Sequence, residues 1–370
     1  DNIKTRMKSV IEDIQIEYSK VDSKIGFINN NDNSNLFINT SLLMYKKKDM
    51  NLKNLYEKWA NWEMSTLKFL MLINLSASRS LNDVNQYPVF PWIITNYTEE
   101  DYNLLLKDQT LIRPFDVPMG MMTITEGAEN RKNNFIEHWK SMEEDEEKSP
   151  NYDRYGTHYS TSLYVSYYLV RSFPFSNIRI ELQGSKFDDP NRLFLAMNNS
   201  FNTALTQKTD LRELIPELFC FPEMFYNSNN LNLGELSENI EGVTNENSPE
   251  KKTIVNDVGM PKWSNNDGYT FIQKHRELLE SPAISEKINE WFNIIFGSKQ
   301  KGSAAKKINN LFLDQTYDDF EEQHEKSSLE DKINQYRMVE FGVTPNQVFK
   351  SDVNKRKSYN EIKHKQTIIV

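Results

Sequence analysis

Apolar residues fall at helical spacing in several stretches of the chain, but the most aromatic stretch has no such spacing. Met7, Val10, Ile11, Ile14 and Tyr18 share one face of a helix predicted over residues 6–20. Met64, Leu67, Leu70, Met71 and Leu75 do the same over 64–78. The run from Thr161 to Arg171 is almost wholly apolar; its length and a Ser/Thr start favour a buried helix over a strand. Asp189 followed by Pro190 reads as a helix start, with Leu193, Phe194, Met197, Phe201 and Leu205 facing inward. Thr209 caps a short helix that stops at Pro216. Ser281 and Pro282 open a helix carrying Ile284, Ile288, Trp291, Phe292, Ile295 and Phe296, closed by Gly297. Ala304, Ile308, Leu311 and Phe312 follow over 303–313. Ser328 with Asp331 resembles a capping box for Leu329, Ile333, Tyr336 and Val339, closed by Gly342.

The exception is NDVNQYPVFPWIITNY, residues 82–97. Pro88 and Pro91 remove two backbone donors and push the residues before them to extended conformations, which excludes a helix interior or a regular central strand. Tyr87, Val89, Phe90 and Trp92 are nevertheless too apolar to leave in water. The pattern therefore predicts an extended spine of Tyr87, Pro88, Phe90, Pro91 and Trp92 packed between helices, its backbone groups satisfied by neighbouring elements.

Between these elements, 29–35 reads as a linker, 98–135 as loop-rich, 143–148 as a solvated acidic loop and 235–252 as polar and mobile. The last stretch, from 350, reads as a charged tail, and no internal repeat is seen. A net charge of −9 without a basic aromatic patch argues against nucleic-acid binding. The lone cysteine, Cys220, allows no internal disulfide and suits a reducing compartment. No apolar run is long enough to span a bilayer, and the start has neither a signal-peptide core nor an initiator Met, so an internal piece of a longer protein is expected. Basic clusters at Lys46–Lys48 and Lys355–Lys357 are short, so membrane contact is expected to be indirect.

Candidate chemistry is sparse. Cys220 with a histidine such as His158 or His275 is the alternative reading, an unrecognised hydrolase, but LFCFPEMF is the setting of a buried inert thiol. His158 is more readily a core histidine than a general base. The five histidines show no metal-ligand spacing, and no phosphate-binding glycine loop occurs, so no metal or cofactor is expected. Arg79, Asn82, Asp83, Gln86, Lys186, Asp188 and Arg192 stand beside residues that should be buried. They either pair internally to satisfy an irregular core or line a groove that grips another domain. Trp62, Tyr102, Trp139 and Trp263 lie in polar surroundings and are docking candidates wherever exposed.

In order and spacing the motifs resemble a BEACH domain, from about Leu55 to Phe349. The resemblance rests on WANWEMS (59–65), SRSLNDVNQYPVFPW (78–92), PMG (118–120), YGTHYS (155–160) and LQGSKFD (182–188). It continues in RLF (192–194), ELIPE (213–217), LLES (278–281), IFG (295–297) and FGVTPNQ (341–347). The chain departs from the family pattern at Thr66–Phe69, at Leu81, and at Ser78 and Ser185, where the family has glycine. The resemblance implies a mainly α fold with irregular, partly extended core segments flanked by helices and little regular sheet. Residues 1–53 would be a linker and helix leaving a preceding pleckstrin-homology-like (PH-like) domain, 54–349 the BEACH domain and 350–370 a tail. It further implies a non-catalytic scaffold of vesicle trafficking, vacuole or lysosome biogenesis, or autophagy, cytoplasmic and peripheral to endomembranes, docking to the PH-like domain. Trp62, Glu63, Arg79, Asp83, His158, Lys186, Asp188 and Arg192 are the expected partner-binding residues.

Overall fold

A computed structural model of the chain describes residues 51–143, 155–237, 240, 253–313, 316–317 and 341–362. The expected helices at 6–20 and 328–340, the linker at 29–35 and most of the polar stretch 235–252 lie outside the described residues.

The described elements are helical: α1 (Leu52–Ala60), α2 (Thr66–Ser76), α3 (Tyr102–Lys107), α4 (Glu126–Glu143), α5 (Ser162–Tyr168) and α6 (Phe175–Leu182), then α7 (Met197–Thr206), α8 (Gly268–Glu280), α9 (Pro282–Ser285), α10 (Asn289–Ile295) and α11 (Gly302–Lys307). Among the described residues no strand forms; extended segments meet only in isolated bridges. The fold is therefore mainly α. Helix starts follow the side chains that can accept from free N–H groups. Ser65 Oγ caps α2 through Lys68 N, Thr161 Oγ1 caps α5 through Tyr164 N, and Asp267 caps α8 through Thr270 N. The Glu280 carboxylate takes the Thr66 and Leu67 N–H groups at 2.8 and 2.9 Å, a negative charge at the positive end of α2.

The spine runs as an extended segment, and Tyr87 through Ile94 are all buried. Its polar groups are met one by one. Arg79 Nη1 donates to Tyr87 O at 2.8 Å. Asn74 acts as a strand would toward Val89, accepting its N–H at 2.8 Å and donating to its carbonyl at 3.0 Å. Phe90 exchanges both backbone bonds with Leu214, at 2.9 and 2.7 Å. Trp92 N donates to Glu213 Oε2 and its indole to Arg212 O. Ile93 O receives Arg113 N, and Thr95 N donates to Leu111 O. Around this frame Trp92 packs on Tyr97 and Phe201, and Phe90 on Phe219.

Several expected elements differ. Residues 126–143, placed largely within a loop-rich region, form α4. Asp189 and Pro190 open only a single 3-10 turn, Pro190–Arg192; Leu193 and Phe194 pack as extended chain, and α7 begins at Met197. The helix expected from Thr209 to Pro216 is absent because Glu213 and Leu214 serve the spine. The helix expected over 281–297 is broken into α9 and α10. Residues 350–362 are no free tail: Val353 and Arg356 are buried. Ser78 and Ser185, the two serines where the resemblance implies glycine, have φ of 64° and 76°. Glycine enters this left-handed region freely, whereas serine is strained there. Gly342, at φ 87°, has a second reason to be glycine: a Cβ there would meet Ser160 O and His158 Cβ.

Candidate interaction surface

An irregular core leaves many carbonyls without a regular partner, and this chain answers with buried guanidinium forks. Arg131 donates to Ala204 O, Asp210 O and Met119 O; Arg171 donates to Asn256 O and Phe194 O. Arg79 joins Tyr87 O to Val343 O, tying the spine to the FGVTPNQ segment. Burial pulls the Arg79 guanidinium down to about 9 and the nearby Asp83 raises it, so it remains charged at neutral pH. The centre of the frame is Glu213. Its carboxylate receives Arg113 Nη1 at 2.7 Å, Trp92 N at 3.1 Å and Trp291 Nε1 at 3.1 Å, joining four separate segments. Sequence reasoning missed the Arg113–Glu213 pair; the available signal was an arginine and a glutamate inside the apolar motifs RPF and ELIPE.

The expected partner-binding residues fall into two groups. Arg79 and His158 are closed to solvent and belong to the core, which corrects their assignment to a docking face. His158 stacks on Phe312 at 4.1 Å; burial first, and the Arg79 charge second, hold it well below the usual imidazole range, so it is neutral. The others reach the surface at separate places. Trp62 and Glu63 lie at the α1–α2 corner, and Asp83 lies on the loop before the spine, accepting from Asn85 N. Lys186, Asp188 and Arg192 share the loop after α6. There Asp188 lies 4.0 Å from the buried Arg179 and 3.9 Å from Arg192, whose side chain is 74% exposed. The loop adjoins a second exposed segment: Asn191 bonds Ser237, and Gly234 lies against Pro190. Leu182, the last residue of α6, and Ile254, bridged to Glu235 of the second segment, are exposed. Of the aromatic docking candidates, Trp263 is buried against Phe271, while Tyr102 and Trp139 are half-buried.

The hydrolase residues are enclosed. Cys220 is buried, its thiol donating to Pro216 O, and His158 has no path to solvent. His275 is buried too, bonded through Nδ1 to Leu218 O and pushed down to about 4 by burial. Glu217 accepts the Tyr87 hydroxyl, and burial raises its carboxyl to about 7. Among the described residues no group of three or more His, Cys, Asp or Glu converges as a metal site, and no helix is long and apolar enough to cross a membrane.

The described residues thus form a helical domain closed around an extended, side-chain-framed spine, with charged residues of its motifs on exposed loops. The Beige/BEACH domain family model matches residues 57–356, and the chain belongs to that family. It is 37% identical over 300 residues to Beige protein homolog 1 of Saccharomyces cerevisiae, covering 79% of this chain and 13% of that protein. It is 35% identical over 297 residues to a putative neurobeachin homolog of Caenorhabditis briggsae, covering 79% of this chain and 11% of that protein. BEACH domain-containing protein A2 of Arabidopsis thaliana is 37% identical over 318 residues, covering 84% of this chain and 8% of that protein. The chain thus spans about a tenth of the length of these relatives.

Proposed function

We propose that the chain is a protein-interaction scaffold module without a catalytic role, part of a large cytosolic protein acting at the periphery of endomembranes. Vesicle trafficking, vacuole or lysosome biogenesis and autophagy are the processes the family membership favours. Its intramolecular partner in this reading is a PH-like domain of the same protein. The observation that supports it is the division of labour among polar residues: Asn74, Arg79, Arg113 and Glu213 are bonded into the spine, while Lys186, Asp188 and Arg192 stand on an exposed loop. The enclosure of Cys220 and His158 offers no support to the hydrolase reading.

The test is calorimetry of the chain against the PH-like domain of its full-length parent, expressed separately. Binding is expected, weakened by Lys186→Glu with Arg192→Glu while thermal stability stays unchanged. Absence of binding by the wild-type pair would remove the docking partner from the proposal. Wild-type affinity in the double variant would move the interface away from this loop.

A further inference from the structure

Residues 350–358 form a strap without helix or strand that runs into a helical turn at 359–362, with two buried side chains, Val353 and Arg356. The Arg356 side chain enters the corner between α1 and α2, where all three guanidinium nitrogens find acceptors. Nε donates to Trp59 O at 2.9 Å, Nη1 to Thr66 Oγ1 at 3.1 Å and Nη2 to Met64 O at 2.8 Å. Glu280 lies 3.8 Å from Nη1. The guanidinium carbon sits 3.6 Å from the centroid of the Trp62 ring and 5.5 Å from that of Trp59. Cation–π contact, a planar fork and a nearby carboxylate together select arginine over lysine.

The corner is built for this contact at a local cost. Trp62 is held at φ 65°, a conformation rare for a bulky residue. The turn aims its ring at Arg356 and its indole N–H at Lys357 O, 2.8 Å away. Tyr359 packs edge-on against the same ring.

Apart from Arg356, the strap's buried hydrogen bonds are those at Val353; its bonds at Asp352, Asn354, Tyr359 and the Lys357 side chain lie at the surface. Its anchors besides Arg356 include Val353 N on Asn293 Oδ1, Val353 O on Asn289, Lys357 N on Ala60 O and Tyr359 N on Glu286 Oε1. The remaining described strap residues are exposed or half-buried. Few buried contacts and many solvent-facing hydrogen bonds mark a segment that opens locally.

We propose that the α1–α2 corner is an arginine-binding socket, filled in cis by Arg356, and that socket and strap form a latch that opens without unfolding the core. The site's ligand class is an arginine presented on an extended peptide segment.

Hydrogen exchange read by mass spectrometry on the full chain tests this. In Arg356→Ala, peptides covering 351–362 and 59–66 should exchange at least about tenfold faster, while peptides covering 87–94 and α10 keep their wild-type rates. Millimolar ethylguanidinium should restore protection at the corner, and ethylammonium at the same concentration should not. Unchanged exchange in the strap would overturn the latch, and equal rescue by both cations would overturn arginine selectivity. If Arg356→Ala fails to fold, Arg356→Lys, which keeps the charge and stem, must show the local loss; opening of the spine together with the strap in that variant would overturn separability.

Discussion

Replacing Glu217 by glutamine should make the domain more stable at mildly alkaline pH and change little in mild acid. Glu217 is buried beside the Tyr87 hydroxyl, and its carboxyl is raised from 4.5 to about 7, chiefly by burial. A carboxyl raised on folding is neutral in the folded chain over a window where the unfolded chain is already ionised. Its favourable contribution is complete below pH 4.5 and is lost as pH rises through 7. At about 1.4 kcal/mol per unit, the loss across this window is on the order of 3 kcal/mol. Glutamine keeps the size and an oxygen to accept from Tyr87, but cannot ionise. The stability difference, Glu217→Gln minus wild type, should therefore grow by about 3 kcal/mol between pH 4.5 and 8. His158 and His275, both depressed by burial, act in the opposite sense: the stability gained by keeping them neutral is present above their ordinary value of 6.5 and lost as pH falls. Being common to both proteins, their contribution cancels in the difference. Urea unfolding of each protein followed by tryptophan fluorescence across this pH range reads the effect. Parallel stability profiles for the two proteins would refute the burial of an ionisable Glu217.

Trp92→Ala removes a fully buried indole and leaves Arg212 O without its donor, at an expected cost of about 3–5 kcal/mol in denaturant unfolding. Glu213→Ala strips the acceptor from Arg113, Trp92 N and Trp291, leaving a buried unpaired charge, and should destabilise by about 3–5 kcal/mol in the same assay. Ser185→Gly relieves a positive φ at an exposed site; after the backbone entropy of glycine is set against it, a gain of up to about 1 kcal/mol is expected, visible as a raised melting temperature.

The spine was legible in the sequence because its two signals conflict: proline forbids regular structure while Tyr87, Phe90 and Trp92 demand burial. Helices α2 and α10 were legible from apolar spacing, and α5 from the length of its apolar run and the Ser/Thr start that Thr161 supplies. Distant partners were not legible. Nothing local to Leu214 says that it pairs with Phe90, so the stretch after Thr209 read as helix when long-range bonding holds it extended. The same blindness hid Arg356, which sits between Lys355 and Lys357 in a run that reads as solvated charge. Buried and exposed members of the charged motif residues were also indistinguishable, because Arg79 and Arg192 differ only in what the fold brings to them.

Side chains and single backbone bridges stand in for a sheet along the spine and should hold it as firmly as regular structure would. Residue-resolved amide hydrogen exchange tests it most directly at Val89, Phe90 and Trp92, whose N–H groups are bonded to Asn74, Leu214 and Glu213. These amides should exchange only through global unfolding, as slowly as the interior of α10, and should do so faster when Asn74 is replaced by alanine. Exchange at the rate of the exposed loops, with α10 still protected, would contradict it.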